Sequence, residues 1–291
     1  MKTFDYASPA TLQEALGLLG RFTGDARPLA GGTDLIAQIQ ERRREPDVVL
    51  DIKRIPECMR LSLEKDGLHI GAAVTCSALI AHPAVRERFS ILAQVASLIG
   101  SVQIQNRAGL GGNLCNAAPS ADGIPGLICL NAQAVIAGPK GRRVVAVEEF
   151  CIGPGKTVLG RDELLVELLV PEPPAHSAGS YLRFIPRAEM DIAVAGAGSF
   201  VTLDPKSNRC KEARIALAAV APTVVRARAA EQSLTGQPLT TSAIERAGDL
   251  AMQAASPISD VRGSKEYRLE LARVLTRRTL ADCAKQLGIS L

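Results

Sequence analysis

The chain has 291 residues, a length that predicts two domains able to bury separate cores, and 47% of it is apolar against 22% charged. That balance excludes extended disorder, while a net charge of only +4 with three tyrosines, six phenylalanines and no tryptophan excludes a surface built for nucleic acid. The N-terminus "MKTFDYASPATLQEALGLL" has neither a basic start nor an apolar run, and no uninterrupted apolar stretch is long enough to span a membrane, so the sequence reads as cytoplasmic.

Ser8 and Pro9 predict the cap and first turn of an amphipathic helix carrying Leu12, Ala15, Leu16 and Leu19. A short strand at 28–30 runs into Gly31 and Gly32, followed by a helix over 35–41 and strands at 47–52 and 68–74. Thr75 caps a helix, Pro83 opens another, and 91–100 is apolar on most of its circumference, as a helix buried between layers requires. A second glycine-rich loop, "GLGGNLCNAAPSAD" at 109–122, comes next. Strands then flank the turn at 138–141, and "ELLVELLV" reads as another. The proline-rich segment 171–180 is the expected linker. Beyond it lie two long strand-like runs, a helix with capping-box spacing between Ser242 and Glu245, and a last helix with Tyr267, Leu271, Val274 and Leu275 on a core face. The fold class is α+β.

Three familiar site types fail on spacing. Gly109 and Gly111 begin a dinucleotide fingerprint, but Leu114 stands at its third glycine and no acid follows near 129–134; "GAGSFV" at 196–201 fails at the same position. "GPGKT" at 153–157 imitates a phosphate-binding loop, yet Phe150 replaces the leading glycine. His69, His82 and His176 stand beside no nucleophile motif, and seven scattered cysteines without C-x-x-C spacing offer no metal set. What remains is a pair of glycine turns about eighty residues apart. Backbone amides in such turns form cradles for anionic oxygens, so two of them suit a pyrophosphate, with Thr33 and Asn113 as side-chain donors and Asp122 as an acceptor for a ribose hydroxyl or adenine amine. Two unrelated surface turns are the plainer alternative.

"PLAGGTDL" with "GLGGNLCNAAPSAD", then "GPGKTVL", "DELLVELLVP", "RAEMDIAVAG" and "SKEYRLELARVLTRR", resembles in order and spacing the FAD-binding subunit of the molybdenum hydroxylases over nearly the whole chain. The resemblance implies a two-lobed FAD-binding domain of the PCMH type (vanillyl-alcohol-oxidase or MurB-like) over residues 1–175, and a smaller C-terminal domain of antiparallel strands and helices over 176–291. It implies that Leu29, Ala30, Gly31, Gly32, Thr33 and Asp34 line the pyrophosphate, with Gly109, Gly111, Gly112 and Asn113 facing it and Asp122 on the adenosine half. Ile99, Gly100, Leu165 and Arg183 would lie near the flavin, and Ile192 would approach its ring. Relatives often carry a hydroxyl residue where Gly109 stands, so one side-chain bond to the cofactor is absent here. Some bind an iron-sulfur cluster in an insert after the second motif; Cys115 is suggestively placed, but without an insert no cluster is expected in this chain.

The resemblance further implies no catalytic acid or base here. In such enzymes a molybdenum-pterin large subunit hydroxylates the substrate, a small subunit relays electrons through two [2Fe-2S] clusters, and FAD passes them on, often to NAD+. The assembly would be a dimer of heterotrimers. "GGNLCN", "SAD" and "HSAGS" look most like bacterial xanthine or purine dehydrogenase subunits, with nicotinate, aldehyde and carbon monoxide dehydrogenases as alternatives. A self-contained FAD oxidase or reductase, and a scaffold that has lost flavin, are the rival readings.

Overall fold

A computed structural model of the chain describes residues 2–22, 24–188 and 190–291. Its first lobe is a parallel three-stranded sheet in the order Asp5–Ala7, Val48–Asp51, Ala26–Leu29. The central strand is buried along its whole length, as its run of apolar residues demands. Helix Leu12–Arg21 connects the first two strands in sequence, and it turns Ala15 and Leu19 inward. Its cap is Thr11 rather than Ser8: the Thr11 hydroxyl accepts from the Glu14 amide at 3.2 Å, and the Glu14 carboxylate reaches back to the Ala10 amide at 2.9 Å. That reciprocal pair satisfies two donors where a Ser8 cap would satisfy one.

The second lobe is an antiparallel sheet in the order Leu61–Glu64, Gly67–Gly71, Leu164–Val170, Gln133–Gly138, Gly141–Ala146. All the helices between Cys76 and Cys129 are inserted between its strands Gly67–Gly71 and Gln133–Gly138. Thr75 caps the first of them, as expected, by accepting from the Ala78 amide. Helix Ser90–Leu98 buries Ile91, Leu92, Val95 and Ala96, and each of the larger three contributes about 1.5–3 kcal/mol relative to exposure. The two lobes share one apolar core.

The C-terminal part is a second antiparallel sheet, Ser177–Phe184, Ala195–Leu203, Cys210–Ala218, Val225–Arg226, covered by helices Arg228–Leu234, Thr241–Ala254 and Lys265–Gln286 around a core of its own. Three sequence expectations change here. Ser177 to Ser180 already belong to a strand, so the linker is shorter than its composition suggested. Thr240, not Ser242, caps the helix Thr241–Ala254, accepting from the Ala243 amide at 3.2 Å. On the last helix Leu271 and Leu275 are buried, but Tyr267 is 43% exposed and Val274 only half-buried. The inward face there continues through Ala272, Thr276, Thr279, Leu280 and Cys283, and includes two threonines that satisfy their hydroxyls on helix carbonyls.

Candidate functional site

The first glycine turn leaves strand Ala26–Leu29 and enters helix Leu35–Gln40. Gly32 has φ of +80°, a left-handed conformation that explains the glycine, and its carbonyl accepts from Ile36 at 3.0 Å to open the helix. The amides of Gly31, Gly32, Thr33 and Asp34 find no backbone acceptor among the described residues. Asp34 makes no side-chain cap bond. A run of free amides with a left-handed step is the chemistry of an anion cradle.

The second glycine element is not a loop. Residues Leu110–Asn116 form a helix with Gly109 as its cap, the Asn113 amide bonding to the Gly109 carbonyl at 3.0 Å. Paired glycines are poor helix formers in isolation, but packing around this segment overrides that preference. A Cβ on Gly111 would lie 2.4 Å from the Ala72 carbonyl oxygen, and one on Gly109 would lie 2.1 Å from that of Val74. One on Gly31 would lie 2.0 Å from the Arg107 carbonyl oxygen. These three glycines are therefore required by the protein's own backbone. Gly112 differs: a Cβ there would meet nothing within 4 Å.

The same contacts bring the two elements side by side. Gly31 packs on Arg107, just ahead of the second motif, and Gln38 Nε2 donates to Asn116 Oδ1 at 3.1 Å, joining helix Leu35–Gln40 to helix Leu110–Asn116. Asn113 Oδ1 accepts from the Gly123 amide at 3.1 Å, which leaves its Nδ2 as the donor that can face a ligand. Free amides on one side, Gly112 without a side chain on the other, and neutral donors from Thr33 and Asn113 fit a diphosphate group.

Asp122 and Arg183, expected at opposite ends of a flavin, are bonded to each other. Asp122 accepts from Arg183 Nη1 on one oxygen and from the Tyr181 hydroxyl at 2.8 Å on the other, with both charged side chains at most 10% exposed. Burial pushes the Asp122 carboxyl above its ordinary value, and Arg183 and Tyr181 pull it back toward the ionised form. Arg183 Nε is buried with no partner, so one donor of this cluster is still unspent. An adenosine contact to Asp122 would have to share an oxygen already in use.

The remaining expected residues are scattered. Ile99 closes the helix Ser90–Leu98, and Gly100 follows at φ of +59°, where a Cβ would press on Ile104 at 2.7 Å. Leu165 lies in the first core, 2% exposed. Ile192 is 49% exposed, its amide bonded to Asp191 Oδ1 at 2.8 Å, in a motif whose Glu189 lies outside the described residues. Cys115 is half-buried, and desolvation, with Cys151 close by, pushes its thiol up to about 12, which favours the neutral form. The sequence reading missed Gln38, which ties the two elements together, and Tyr181, which holds Asp122.

Residues 2–173 match the family described as the FAD binding domain in molybdopterin dehydrogenase, and residues 180–283 match the CO dehydrogenase flavoprotein C-terminal domain. The chain belongs to the FAD-binding subunits of the molybdenum hydroxylases. It is 34% identical to a xanthine dehydrogenase FAD-binding subunit of Escherichia coli O157:H7, covering 98% of each chain. It is also 34% identical to the carbon monoxide dehydrogenase medium chain of Hydrogenophaga pseudoflava, covering 97% of this chain and 98% of that one. The solved structure of carbon monoxide dehydrogenase from the same organism, in a form lacking the Mo-pyranopterin moiety of its cofactor, superposes with a TM-score of 0.92 over 98% of both chains. As an FAD subunit of this family the chain is an oxidoreductase component. Among the described residues, no helix is long and apolar enough to cross a membrane.

Proposed function

We propose that this subunit holds FAD with its diphosphate between residues 29–34 and 109–113, and that it passes electrons from [2Fe-2S] clusters of a small partner subunit to NAD+. A molybdenum-pterin large subunit would supply those electrons from substrate, in a cytoplasmic dimer of heterotrimers. The observation that carries this reading is the open space at Gly112 beside amides that have no partner of their own. FAD, when bound, supplies a two-electron redox centre between one-electron carriers and the acceptor. This chain's part is to orient and retain that group with backbone donors fixed before it arrives. The ends of the two matched segments support a domain division near residue 175.

For the substrate we propose a xanthine-type purine, on the strength of "GGNLCN", "SAD" and "HSAGS". Overall identity does not favour it over carbon monoxide, since both relatives stand at 34%. The test is to purify the chain from its native host with whatever accompanies it, record the visible spectrum, and assay xanthine with NAD+. Acid-releasable FAD, two partner subunits and xanthine-dependent NADH formation support the proposal. FAD bound to a lone chain with its own oxidase activity would replace it, and a colourless chain would remove flavin from the account.

A further inference from the structure

Lys53 belongs to neither glycine element, yet it touches the first. Its Nζ donates to the Ala30 carbonyl at 2.9 Å and pairs with Asp51 Oδ1 at 2.7 Å. Asp51 is itself 8% exposed and firmly held: the Tyr6 hydroxyl donates to its other oxygen at 2.7 Å, and the Lys53 amide donates to Oδ1 at 3.0 Å. The ammonium therefore has little freedom to leave the turn.

A peptide unit is planar, and none in the described chain is cis, so a carbonyl and the amide that follows it point in opposite directions. Fixing the Ala30 carbonyl toward Lys53 turns the Gly31 amide to the other side, where it has no backbone acceptor among the described residues. Gly31 is also pressed against the Arg107 carbonyl, which blocks it from moving that way. We propose that Lys53 is a positioning residue for the cofactor. Anchored by Asp51 and Tyr6, it holds the Ala30 carbonyl and so aims the Gly31 amide at the diphosphate. This rests on the reading of the cleft as the diphosphate site.

The full chain, stripped of flavin, is titrated with FAD while its melting temperature is followed in parallel. Lys53→Met should weaken FAD binding by about 10-fold or more, read well below the melt, and should also lower the flavin-free melting temperature by several degrees, because Asp51 is left without its counter-charge. Lys53→Arg should recover most of the affinity, because it restores both charge and donor. If Lys53→Met does not fold, Lys53→Gln, which keeps a neutral donor, should weaken binding by about 10-fold. Unaltered affinity in Lys53→Met or Lys53→Gln overturns the proposal, as does a loss that Lys53→Arg fails to recover. Gly112→Val, run alongside, separates the two levels. Should it retain FAD, the cleft reading falls and this proposal with it; should it lose FAD while Lys53→Met retains it, only the role of Lys53 falls.

Discussion

Valine at position 112 perturbs the cleft while sparing the fold. A Cβ there meets nothing within 4 Å, and the position is helical, where glycine is about 0.5–1 kcal/mol worse than alanine and valine recovers a few tenths of that. The flavin-free protein should therefore melt no lower than the unaltered chain. Binding should respond differently. A β-branched side chain would occupy the space over the amides of Gly111 and Gly112, removing up to two hydrogen bonds to charged oxygens at about 1.5–3 kcal/mol each. The combined loss of about 3–6 kcal/mol corresponds to a fall in affinity of about 10²–10⁴-fold. Gly111→Ala is the internal control, since its Cβ would lie 2.4 Å from the Ala72 carbonyl oxygen and 2.6 Å from its Cα. Overpacking of that kind costs about 1–3 kcal/mol, and it should lower the melting temperature whether or not flavin is present. The assay is a visible-absorbance titration with FAD paired with thermal melts of the flavin-free chains. A valine variant that keeps stoichiometric FAD at unaltered affinity refutes the argument, and so does one that melts well below the parent.

Asp122→Asn should cost about 3–5 kcal/mol in urea unfolding, because it leaves the Arg183 guanidinium buried without its counter-charge; a loss under about 1 kcal/mol would mean the pair is solvated. Arg183→Ala should likewise act on stability before it acts on any flavin chemistry, which a denaturation curve on flavin-free protein would reveal. Glu163 supplies a pH signature. Two hydrogen bonds from Arg143, at 2.8 and 2.7 Å, with one from the Gly160 amide at 2.7 Å, hold its carboxyl down to about 2 from an ordinary 4.5. Because the folded value is the lower one, the stabilisation is present above about pH 4.5 and is lost as pH falls from there toward 2. Glu163→Gln should flatten that part of the acid limb in urea midpoints measured between about pH 6 and pH 3, and an unchanged limb would exclude the contribution.

The family was legible in the order and spacing of short motifs, and so was most of the secondary structure. Helix Cys76–Ala81 behind Thr75, the strand Val48–Asp51 and the hairpin around residues 138–141 all follow from local signals: a capping hydroxyl, an apolar run, a glycine turn. Such features depend on residues within a few positions of each other, which is why a sequence can carry them. The capping errors at Ser8 and Ser242 arose where several hydroxyl residues competed within three or four positions, a choice that the exact entry angle of the chain decides.

What the sequence offered by itself, then, was a pair of glycine elements, at 31–32 and 109–112, of a kind suited to a pyrophosphate, with flavin as what the family resemblance implied. Only the tertiary structure assigned each glycine its task. Gly31, Gly109 and Gly111 are forced by carbonyls of Arg107, Val74 and Ala72, distant or unremarkable in the sequence, and Gly112 alone opens on free space. The structure also turned a presumed loop into the helix Leu110–Asn116, joined Asp122 to Arg183 across 61 positions, and set Lys53 against the Ala30 carbonyl. The physical reason is common to all of these. Steric exclusion and buried charge pairing act between atoms brought together by folding, and neither leaves a periodicity or a spacing along the chain for a reader to find.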